Sequence, residues 1–309
     1  MGRLGVDLYP LQAGVPLDRV ERFGKFLGGS AANVAVAAAR LGMGTALVSR
    51  TGADPFGAYL RRELDSFGVD ARWVTEVAAD PTPLTFCEIF PPDDFPLYFY
   101  RQPKAPDLEI HPHELDLAEI RAAKVFWMTG TGLCAQPSRD ATLAALAARS
   151  RRAHTVFDLD WRVQCWNGSD DPGPVYATAL GHATVAIGNL EECEIATGTR
   201  EPGEAARRLL AAGVELAVVK RGPEGVLAVH RDGTVAEVPP LPVKVLNGLG
   251  AGDAFGGALC HGLVSGLALE PAIRRANAAG ALVTTRLECS SAMPYAHEID
   301  GLLATGGTS

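Results

Sequence analysis

Short apolar segments typical of β-strands alternate with helix-like segments along most of this 309-residue chain. The strand-like segments cover residues 3–8, 45–49, 124–128, 154–158, 184–188 and 216–220. The helix-like segments cover residues 30–41, 55–67, 137–150, 190–197, 203–212, 251–267 and 270–286. Continuous apolar strands that alternate with helices form a parallel sheet with both faces covered. The sequence therefore predicts an α/β fold, with a doubly wound, mostly parallel sheet and helices on both of its faces.

Two stretches break this alternation and fit no strand–helix unit. Residues 9–27 contain two prolines and several charges, and residues 84–101 contain two extended runs rich in aromatic residues. The second stretch is typical of a hairpin, because Pro91-Pro92-Asp93-Asp94 separates its two runs. We expect these stretches, about residues 9–27 and 84–103, to form a small discontinuous β lid on a single domain that spans residues 1–309.

The composition limits the partners expected for this chain. Hydrophobic residues make up 47% of it, which suffices for one large core. The formal net charge of -8 argues against nucleic acid as the main partner. The chain shows neither a basic and then apolar leader nor a long apolar run, so we expect a cytoplasmic protein without a membrane partner. Its six cysteines are widely scattered and contain no Cys-x-x-Cys zinc pattern.

A glycine-rich bend late in the chain is the strongest functional signal. In the run from Asn247 to Gly257, small residues crowd one turn, and Asp253 follows them. Glycines allow successive N–H groups to converge on one point, and a helix that begins at Ala251 and Gly252 adds partial positive charge there. Such a turn binds an anion, and a neighbouring carboxylate takes the proton from a hydroxyl that attacks a phosphoryl group. Taken alone, Asp253 is also typical of a helix cap.

Polar residues are predicted at the carboxyl ends of three strands. Asp7 ends the first predicted strand, Asn189 follows a later one, and Lys220 ends a third. In a doubly wound sheet these ends face one crevice, so we expect the three side chains to meet there. Each has a structural alternative. Asp7 is also typical of a turn, Asn189 with Glu192 of a helix start, and Lys220 of a solvated surface charge.

In order and spacing, these segments resemble those of the PfkB, or ribokinase-like, family of sugar kinases. The resemblance covers almost the whole chain, and its most specific elements are Gly28-Gly29-Ser30-Ala31-Ala32-Asn33 and Gly250-Ala251-Gly252-Asp253. It implies a ribokinase-like fold and the phosphorylation of a sugar hydroxyl by ATP with Mg²⁺. By this resemblance Asp253 is the catalytic base, the anion hole is formed by Gly250, Ala251 and Gly252, and the sugar-binding positions are Asp7, Gly29 and Asn33.

The same resemblance implies where the nucleotide and metal bind. The nucleotide-binding candidates are Asn189, Lys220, Gly222, Gly225 and Asn277. Glu192 is expected to contact Mg²⁺ through water. Asn247-Gly248 stands where Asp-Thr is common in the family, in a segment that often holds a monovalent cation, so a requirement for K⁺ stays open.

Two arginines indicate a sugar acid as the substrate. Arg101 ends the aromatic run Tyr98-Phe99-Tyr100, and Arg162 ends the segment Asp158-Leu159-Asp160-Trp161-Arg162 after a predicted core strand. Arginine binds a carboxylate through two parallel N–H bonds, which a neutral sugar does not require. Both segments resemble those of keto-deoxy sugar-acid kinases of the family, in which the matching arginines contact the substrate carboxylate. Taken singly, each arginine is more typical of a surface ion pair.

Other functions remain as alternatives to a sugar-acid kinase. A kinase of the same fold that acts on 2-keto-3-deoxygluconate or on neutral fructose is the nearest one, and a non-catalytic sugar sensor is another. A dinucleotide-dependent oxidoreductase is disfavoured, because its Gly-x-Gly-x-x-Gly motif follows an early strand, whereas the glycine bend lies late here. The sequence also lacks a P-loop motif. Members of the family often form dimers through such a lid. By this resemblance, an exposed edge of the aromatic lid predicts a homodimer.

Overall fold

The computed structural model describes residues 1–166 and 171–306, and its architecture is α/β. Its strands are β1 (Gly5–Pro10), β2 (Phe23–Gly28), β3 (Thr45–Ala46), β4 (Ser49–Gly52), β5 (Val69–Asp70), β6 (Val74–Val77), β7 (Leu84–Cys87), β8 (Leu97–Tyr100), β9 (Phe126–Thr129), β10 (Thr155–Asp158), β11 (Val185–Asn189), β12 (Leu216–Lys220), β13 (Val226–His230) and β14 (Val235–Val238). Its helices are α1 (Ser30–Arg40), α2 (Pro55–Ser66), α3 (Leu117–Ala122), α4 (Ser138–Arg149), α5 (Gly173–His182), α6 (Leu190–Thr197), α7 (Pro202–Ala211), α8 (Ala251–Val264), α9 (Leu269–Thr284) and α10 (Ala296–Thr305). No helix in the described ranges is both long and apolar enough to cross a bilayer.

The chain divides into two compact units. The first unit contains Met1, Leu108–Pro240 and Leu263–Arg274. The second unit contains Gly2–Asp107, Leu241–Gly262 and the residues from Arg275 onward. The organisation of residues 1–309 as one kinase domain stays a prediction.

The first unit is built on a six-stranded sheet. Its strand order is β14-β13-β12-β11-β10-β9. Strands β9 to β12 run parallel, and β13 and β14 continue the sheet in antiparallel pairs. Almost every residue of the four parallel strands is buried, which is typical of a sheet with both faces covered. The prediction of a mostly parallel sheet is confirmed here.

The second unit contains a mixed four-stranded sheet in the order β2-β1-β7-β8, together with the parallel pairs β3–β5 and β4–β6. Strand β1 pairs antiparallel with β2 and parallel with β7, and β7 pairs antiparallel with β8. The predicted aromatic hairpin is therefore confirmed as β7–β8. Residues from both of the stretches that interrupt the alternation belong to this one sheet. Its action as a lid stays a prediction.

The predicted position of Asp7 in its strand is wrong. The sequence places Asp7 at the end of the first strand, whereas β1 continues to Pro10 and Asp7 lies in its middle, opposite Phe26. The strand is longer because β2 pairs with it along its whole length, from Gly5 to Pro10. Asn189 and Lys220 do end neighbouring parallel strands, as predicted. The three residues therefore do not end strands of one sheet.

Candidate active site

The turn before α8 has the backbone geometry of an anion-binding site. Gly250 has a φ of 81°, and a Cβ at this position would lie 2.6 Å from Cys289 Sγ, so only glycine fits. Helix α8 begins at Ala251, and the N–H of Ala254 donates to the Gly250 carbonyl at 2.9 Å. The first N–H groups of a helix have no acceptor within it, so those of Ala251 and Gly252 are available to a ligand. The predicted helix start is confirmed.

Asn247 holds this turn in place from its N-terminal side. Its side chain is fully buried, and Nδ2 donates to the Leu287 carbonyl at 2.7 Å. Its Oδ1 accepts the N–H of Leu249 at 3.0 Å. Both ends of the amide therefore bond the backbone around the glycine turn. The side chain of Asn247 has a structural role here.

Asn33 and Asp253, which lie 220 residues apart in sequence, are in direct contact. The Asn33 Nδ2 donates to Asp253 Oδ2 at 2.8 Å. Asn33 is buried in the first turn of α1, and its Oδ1 has no hydrogen-bond partner within residues 1–166 and 171–306. A buried acceptor without a donor costs free energy. A ligand hydroxyl that donates to this oxygen would remove that cost.

Two glycines, Gly28 and Gly29, let helix α1 and strand β1 approach each other closely. Gly29 precedes α1 with a φ of 99°, and a Cβ there would lie 2.5 Å from the carbonyl oxygen of Arg3. A Cβ on Gly28 would lie 2.1 Å from the carboxyl carbon of Asp7. The Gly28-Gly29 pair thus makes room for Asp7 beside the start of α1.

Asp7 is a buried carboxyl group that titrates near neutral pH. Burial raises the pKa of Asp7 to about 7. The negative charge of Asp253 also raises this pKa, whereas the hydrogen bond from Tyr9 and the positive charge of Arg3 lower it. Asp7 and Asp253 therefore interact electrostatically within the second unit, and Asp7 changes its charge in the physiological range.

Three residues around Asp7 were missed by the sequence reasoning: Arg3, Tyr9 and Cys289. Arg3 is buried, and its guanidinium carbon lies 5.6 Å from the centroid of the Phe99 ring. An arginine within a predicted apolar strand is a signal that could have singled it out. Tyr9 and Cys289 carry no such signal, because their contact joins residues 280 positions apart.

Arg101 is held by a buried aspartate. Its Nη2 pairs with Asp107 Oδ1 at 2.5 Å, and the two side chains are 12% and 2% exposed. The other oxygen of Asp107, Oδ2, has no hydrogen bond in the described part of the chain. A guanidinium has five N–H donors in a planar fork, so a contact through one terminal nitrogen leaves others for a ligand carboxylate.

In the first unit, Asn189 and Glu192 form a capping box at the start of α6. Asn189 Oδ1 accepts the N–H of Glu192 at 2.9 Å, and Glu192 Oε2 accepts the N–H of Asn189 at 2.7 Å. This is the structural alternative that a helix start predicts for the motif. The arrangement also fixes the Glu192 carboxylate beside the end of β12, where Lys220 pairs in register with Asn189.

Two cations lie near the Glu192 carboxylate. Lys220 Nζ lies 3.9 Å from Oε2, and Arg162 Nη1 lies 3.8 Å from Oε1. Arg162 also pairs with Asp160 at 3.2 Å, and Asp160 accepts a hydrogen bond from Thr131 at 3.0 Å. Positive side chains next to a helix N-terminus favour a phosphate ligand. The structure thus brings Arg162 together with the nucleotide-binding candidates of the first unit.

The remaining nucleotide-binding candidates lie in two places. Gly222 and Gly225, with φ values of 58° and 84°, form a tight turn after β12. A Cβ on Gly225 would lie 2.1 Å from the Val238 carbonyl oxygen, so the turn excludes a side chain there. Asn277 is half-buried in α9 and belongs to the second unit.

The described residues fit a Mg²⁺ ion that is bound mainly through a nucleotide. They contain no group of three or more His, Cys, Asp or Glu side chains placed to hold a metal. Mg²⁺ usually keeps several waters and binds one or two carboxylates together with substrate phosphates. Glu192 offers one such carboxylate, with Oε1 not used by the capping box.

Residues 1–296 match the family described as "pfkB family carbohydrate kinase". The chain belongs to the pfkB family. This membership confirms the prediction of an ATP-dependent sugar kinase with a ribokinase-like fold.

Relatives and solved structures of the pfkB family extend over nearly all of the chain. It is 33% identical over 307 residues to a 5-dehydro-2-deoxygluconokinase of Shouchella clausii, covering 98% of this chain and 94% of the relative. It is 35% identical over 302 residues to a 5-dehydro-2-deoxygluconokinase of Photobacterium profundum, covering 95% of this chain and 90% of the relative. A fructokinase from Vibrio cholerae, solved with fructose, ADP and a calcium ion, superposes with a TM-score of 0.82 at 28% identity, covering 98% and 97% of the two chains.

Proposed function

We propose that this pfkB-family kinase transfers the γ-phosphoryl group of ATP to the 6-hydroxyl of 5-dehydro-2-deoxy-D-gluconate, a step of myo-inositol catabolism. The observation that carries the proposal is the similarity, over nearly the whole chain, to relatives named for this activity. The ADP and calcium ion in the related fructokinase structure support a nucleotide and a divalent cation as cofactors. Mg²⁺, when bound, neutralises charge on the transferring phosphoryl group.

In this proposal Asp253 is the base for the acceptor hydroxyl. The hydrogen bond from Asn33 to Oδ2 orients the Asp253 carboxylate, which accepts the proton of the hydroxyl. The amides of Gly250, Ala251 and Gly252 stabilise the charge that develops on the phosphoryl group. Asp7 accepts further hydroxyls of the sugar beside Gly29, and Asn33 Oδ1 accepts another.

The nucleotide is assigned to residues at the ends of β11 and β12 and to one residue of α9. Lys220 supplies positive charge for phosphate oxygens, and the Gly222–Gly225 turn allows close approach of the backbone. Glu192 contacts Mg²⁺ through water, and Asn189 holds Glu192 through the capping box. Asn277 is proposed as a further nucleotide contact.

Arg101 and Arg162 are proposed to bind the carboxylate of the sugar acid. Arg101 gives the cleaner test, because Arg162 also lies near Glu192, so its loss would disturb the nucleotide-binding set as well. We expect Arg101→Ala to lower kcat/KM for the sugar acid by about 100-fold and to change that for fructose by less than about threefold. Arg72→Ala is the matched control, because Arg72 is an exposed arginine of the same unit that pairs with Asp70.

An acceptor panel tests the function itself. ADP release is followed with ATP, Mg²⁺ and each of 5-dehydro-2-deoxygluconate, 2-keto-3-deoxygluconate and fructose, and NMR identifies the phosphorylated position. We expect kcat/KM for 5-dehydro-2-deoxygluconate to exceed that for fructose by at least about 100-fold. A preference for either of the other acceptors replaces the proposed substrate. Sugar binding without any ADP release indicates a sensor.

Three further properties are proposed: a homodimer, activation by a monovalent cation and a cytoplasmic location. Strand β8 is an edge strand with Tyr98 and Tyr100 exposed, and such an edge favours pairing with a second copy of the protein. Sedimentation of the wild type and of Tyr100→Asp tests whether a dimer forms through this edge. Replacing Na⁺ by K⁺ in the assay tests monovalent-cation activation near Asn247. A cytoplasmic location, where ATP is abundant, is tested by fractionation.

A further inference from the structure

Tyr9 and Cys289 connect Asp7 to the glycine turn, and none of the roles proposed above uses them. The Tyr9 hydroxyl donates to Asp7 Oδ2 at 3.1 Å and lies 2.7 Å from Cys289 Sγ. A tyrosine hydroxyl carries one proton, so when it donates to Asp7, the thiol must donate to the tyrosine oxygen. The three groups then form one directed chain of hydrogen bonds, from Cys289 through Tyr9 to Asp7.

The hydrogen bonds from Cys289 through Tyr9 to Asp7 are shielded from water. Tyr9 is 1% exposed and Cys289 is 2% exposed. Both belong to one apolar cluster with Cys87 and Ile89, against which Phe26, Phe95, Leu97, Leu249 and Leu287 pack. A hydrogen bond to a charged group is stronger in such surroundings, and water does not replace a partner that is lost.

Cys289, at the other end of this series of hydrogen bonds, contacts the glycine turn. Cys289 Sγ occupies the space beside Gly250, where a Cβ on the glycine would lie 2.6 Å from the sulfur. Leu249, the residue before Gly250, packs against the same cluster. The thiol therefore touches the turn while it also bonds the tyrosine that holds Asp7.

We propose that Tyr9 and Cys289 are positioning residues, which fix the Asp7 carboxylate for the hydroxyls of the acceptor and connect it to the Gly250 turn. The inference rests on the proposed function, because it takes Asp7 to bind the acceptor. Both residues act through Asp7 and the turn, without touching the acceptor themselves. Loss of the tyrosine hydroxyl should therefore weaken acceptor binding more than it slows turnover.

The electrostatics of Asp7 give this role a signature in pH dependence. Among the described residues, the titratable groups that interact with Asp7 include Arg3, Tyr9, Tyr59, Cys87, Cys289 and Asp253. Burial raises the pKa of Asp7 to about 7, and the Tyr9 hydrogen bond lowers it. Removing the hydroxyl therefore raises this pKa further, so more Asp7 is protonated at pH 7. The acid limb of the activity profile should move to higher pH.

Four variants test the proposal: Tyr9→Phe, Cys289→Ser, Cys289→Ala and, as a packing control in the same cluster, Cys87→Ala. The assay uses the acceptor that the wild type phosphorylates best. We expect Tyr9→Phe to raise the acceptor KM at pH 7 by about tenfold, to change kcat by less than about threefold, and to recover at alkaline pH. Cys289→Ser keeps a donor to Tyr9 and should behave like the wild type, whereas Cys289→Ala should raise KM in the direction of Tyr9→Phe.

The proposal is overturned if Tyr9→Phe keeps the wild-type KM and pH profile. It is also overturned if Cys289→Ser is impaired as much as Cys289→Ala, or if Cys87→Ala reproduces the shift, because packing alone then explains the effects. The titration of the Asp7 carboxyl carbon by ¹³C NMR, in unliganded wild type and Tyr9→Phe, needs no substrate. An unchanged titration of Asp7 overturns this inference even if the kinase activity is confirmed. A shifted titration supports the hydrogen bond from Tyr9 to Asp7 that the inference requires, whichever acceptor the panel selects.

Discussion

The candidate residues of the two units balance their carboxylates in different ways. In the first unit, Glu192 accepts the N–H of Asn189 and lies near Lys220 and Arg162, so protein groups compensate its charge. In the second unit, Asp7 lies near the like charge of Asp253, which adds to the burial that raises its pKa. A compensated carboxylate stabilises the fold whether or not ligand is bound. A carboxylate that is only partly compensated, as Asp7 is by Tyr9 and Arg3, gains most from ligand hydroxyls. From this difference we expect Glu192 to serve both the fold and a ligand, and Asp7 to serve mainly a ligand.

The largest effect on kcat is expected for Asp253, the residue proposed to take the proton from the reacting hydroxyl. Asp253→Asn keeps the size of the side chain but removes the proposed base. We therefore expect kcat to fall by about 10²–10⁴-fold while the KM for ATP changes by less than about threefold. Steady-state ADP release measures both constants. Asp65→Asn is the matched control, because Asp65 is an exposed carboxylate of the same unit. Turnover within about tenfold of the wild type would remove Asp253 from the role of base.

The next effect follows from the charge of Asp7. Its pKa lies at about 7 in the folded protein, above the ordinary value of 3.8 for an aspartate. The folded state therefore holds the proton more tightly than the unfolded chain, and this contribution to stability, complete below pH 4, is lost as the pH rises through 7. We expect Asp7→Asn to be more stable than the wild type at pH 8 by about 2–4 kcal/mol, and to bind the acceptor more weakly.

Denaturant unfolding at pH 5 and at pH 8 measures this difference. The wild type should lose stability between the two values relative to Asp7→Asn. An equal change in the free energy of unfolding of the two proteins between pH 5 and pH 8 would show that burial of the Asp7 carboxylate does not destabilise the fold. The contrast between the two units would then fail.

A smaller effect is expected for the proposed contact of Glu192 with Mg²⁺. Glu192→Gln keeps an oxygen that accepts the N–H of Asn189 but removes the negative charge, so the Mg²⁺ concentration for half-maximal rate should rise by about tenfold. A Mg²⁺ titration of ADP release measures this. Glu194→Gln on the same helix, where Glu194 pairs with Arg200 at the surface, is the control. Equal Mg²⁺ dependence in the Glu192 and Glu194 variants would leave Glu192 with only its capping role.

The smallest effect separates capping from ligand binding at Asn189. Asn189→Ala should lower the free energy of unfolding by about 1 kcal/mol, because α6 loses its N-cap, and Asn189→Asp should restore it. If Asn189 also serves the nucleotide, Asn189→Asp should still raise the KM for ATP. Denaturant unfolding and ATP kinetics of the two variants measure both parts. A wild-type KM in Asn189→Asp would restrict Asn189 to the fold.

Much of the first unit could be predicted from the sequence because its signals are local. The predicted strand at 216–220 is β12 and the predicted helix at 190–197 is α6, since buried parallel strands read as apolar runs and capped helices carry their start signals. Strand β1 is different. Its length depends on pairing with β2, which no local pattern of residues 3–8 contains.

The same distinction holds within the candidate site. The glycine turn and Asp253 could be found from the sequence, because small residues before a single carboxylate form a compact motif. The hydrogen bond between Asn33 and Asp253, and the chain that joins Cys289 to Asp7, depend on tertiary contacts across more than 200 residues. The contact between Arg162 and Glu192 also needed coordinates, since the sequence reasoning assigned Arg162 to the substrate or to a surface ion pair and did not connect it with Glu192.

A direct competition measures the central claim, that this kinase selects a keto-deoxy sugar acid. Equal concentrations of 5-dehydro-2-deoxygluconate and fructose are incubated with limiting ATP, Mg²⁺ and the purified protein, and ³¹P NMR quantifies the two phosphorylated products. The account predicts that the 6-phosphate of the acid accounts for almost all of the transferred phosphate. Fructose phosphate in equal or greater amount would contradict it.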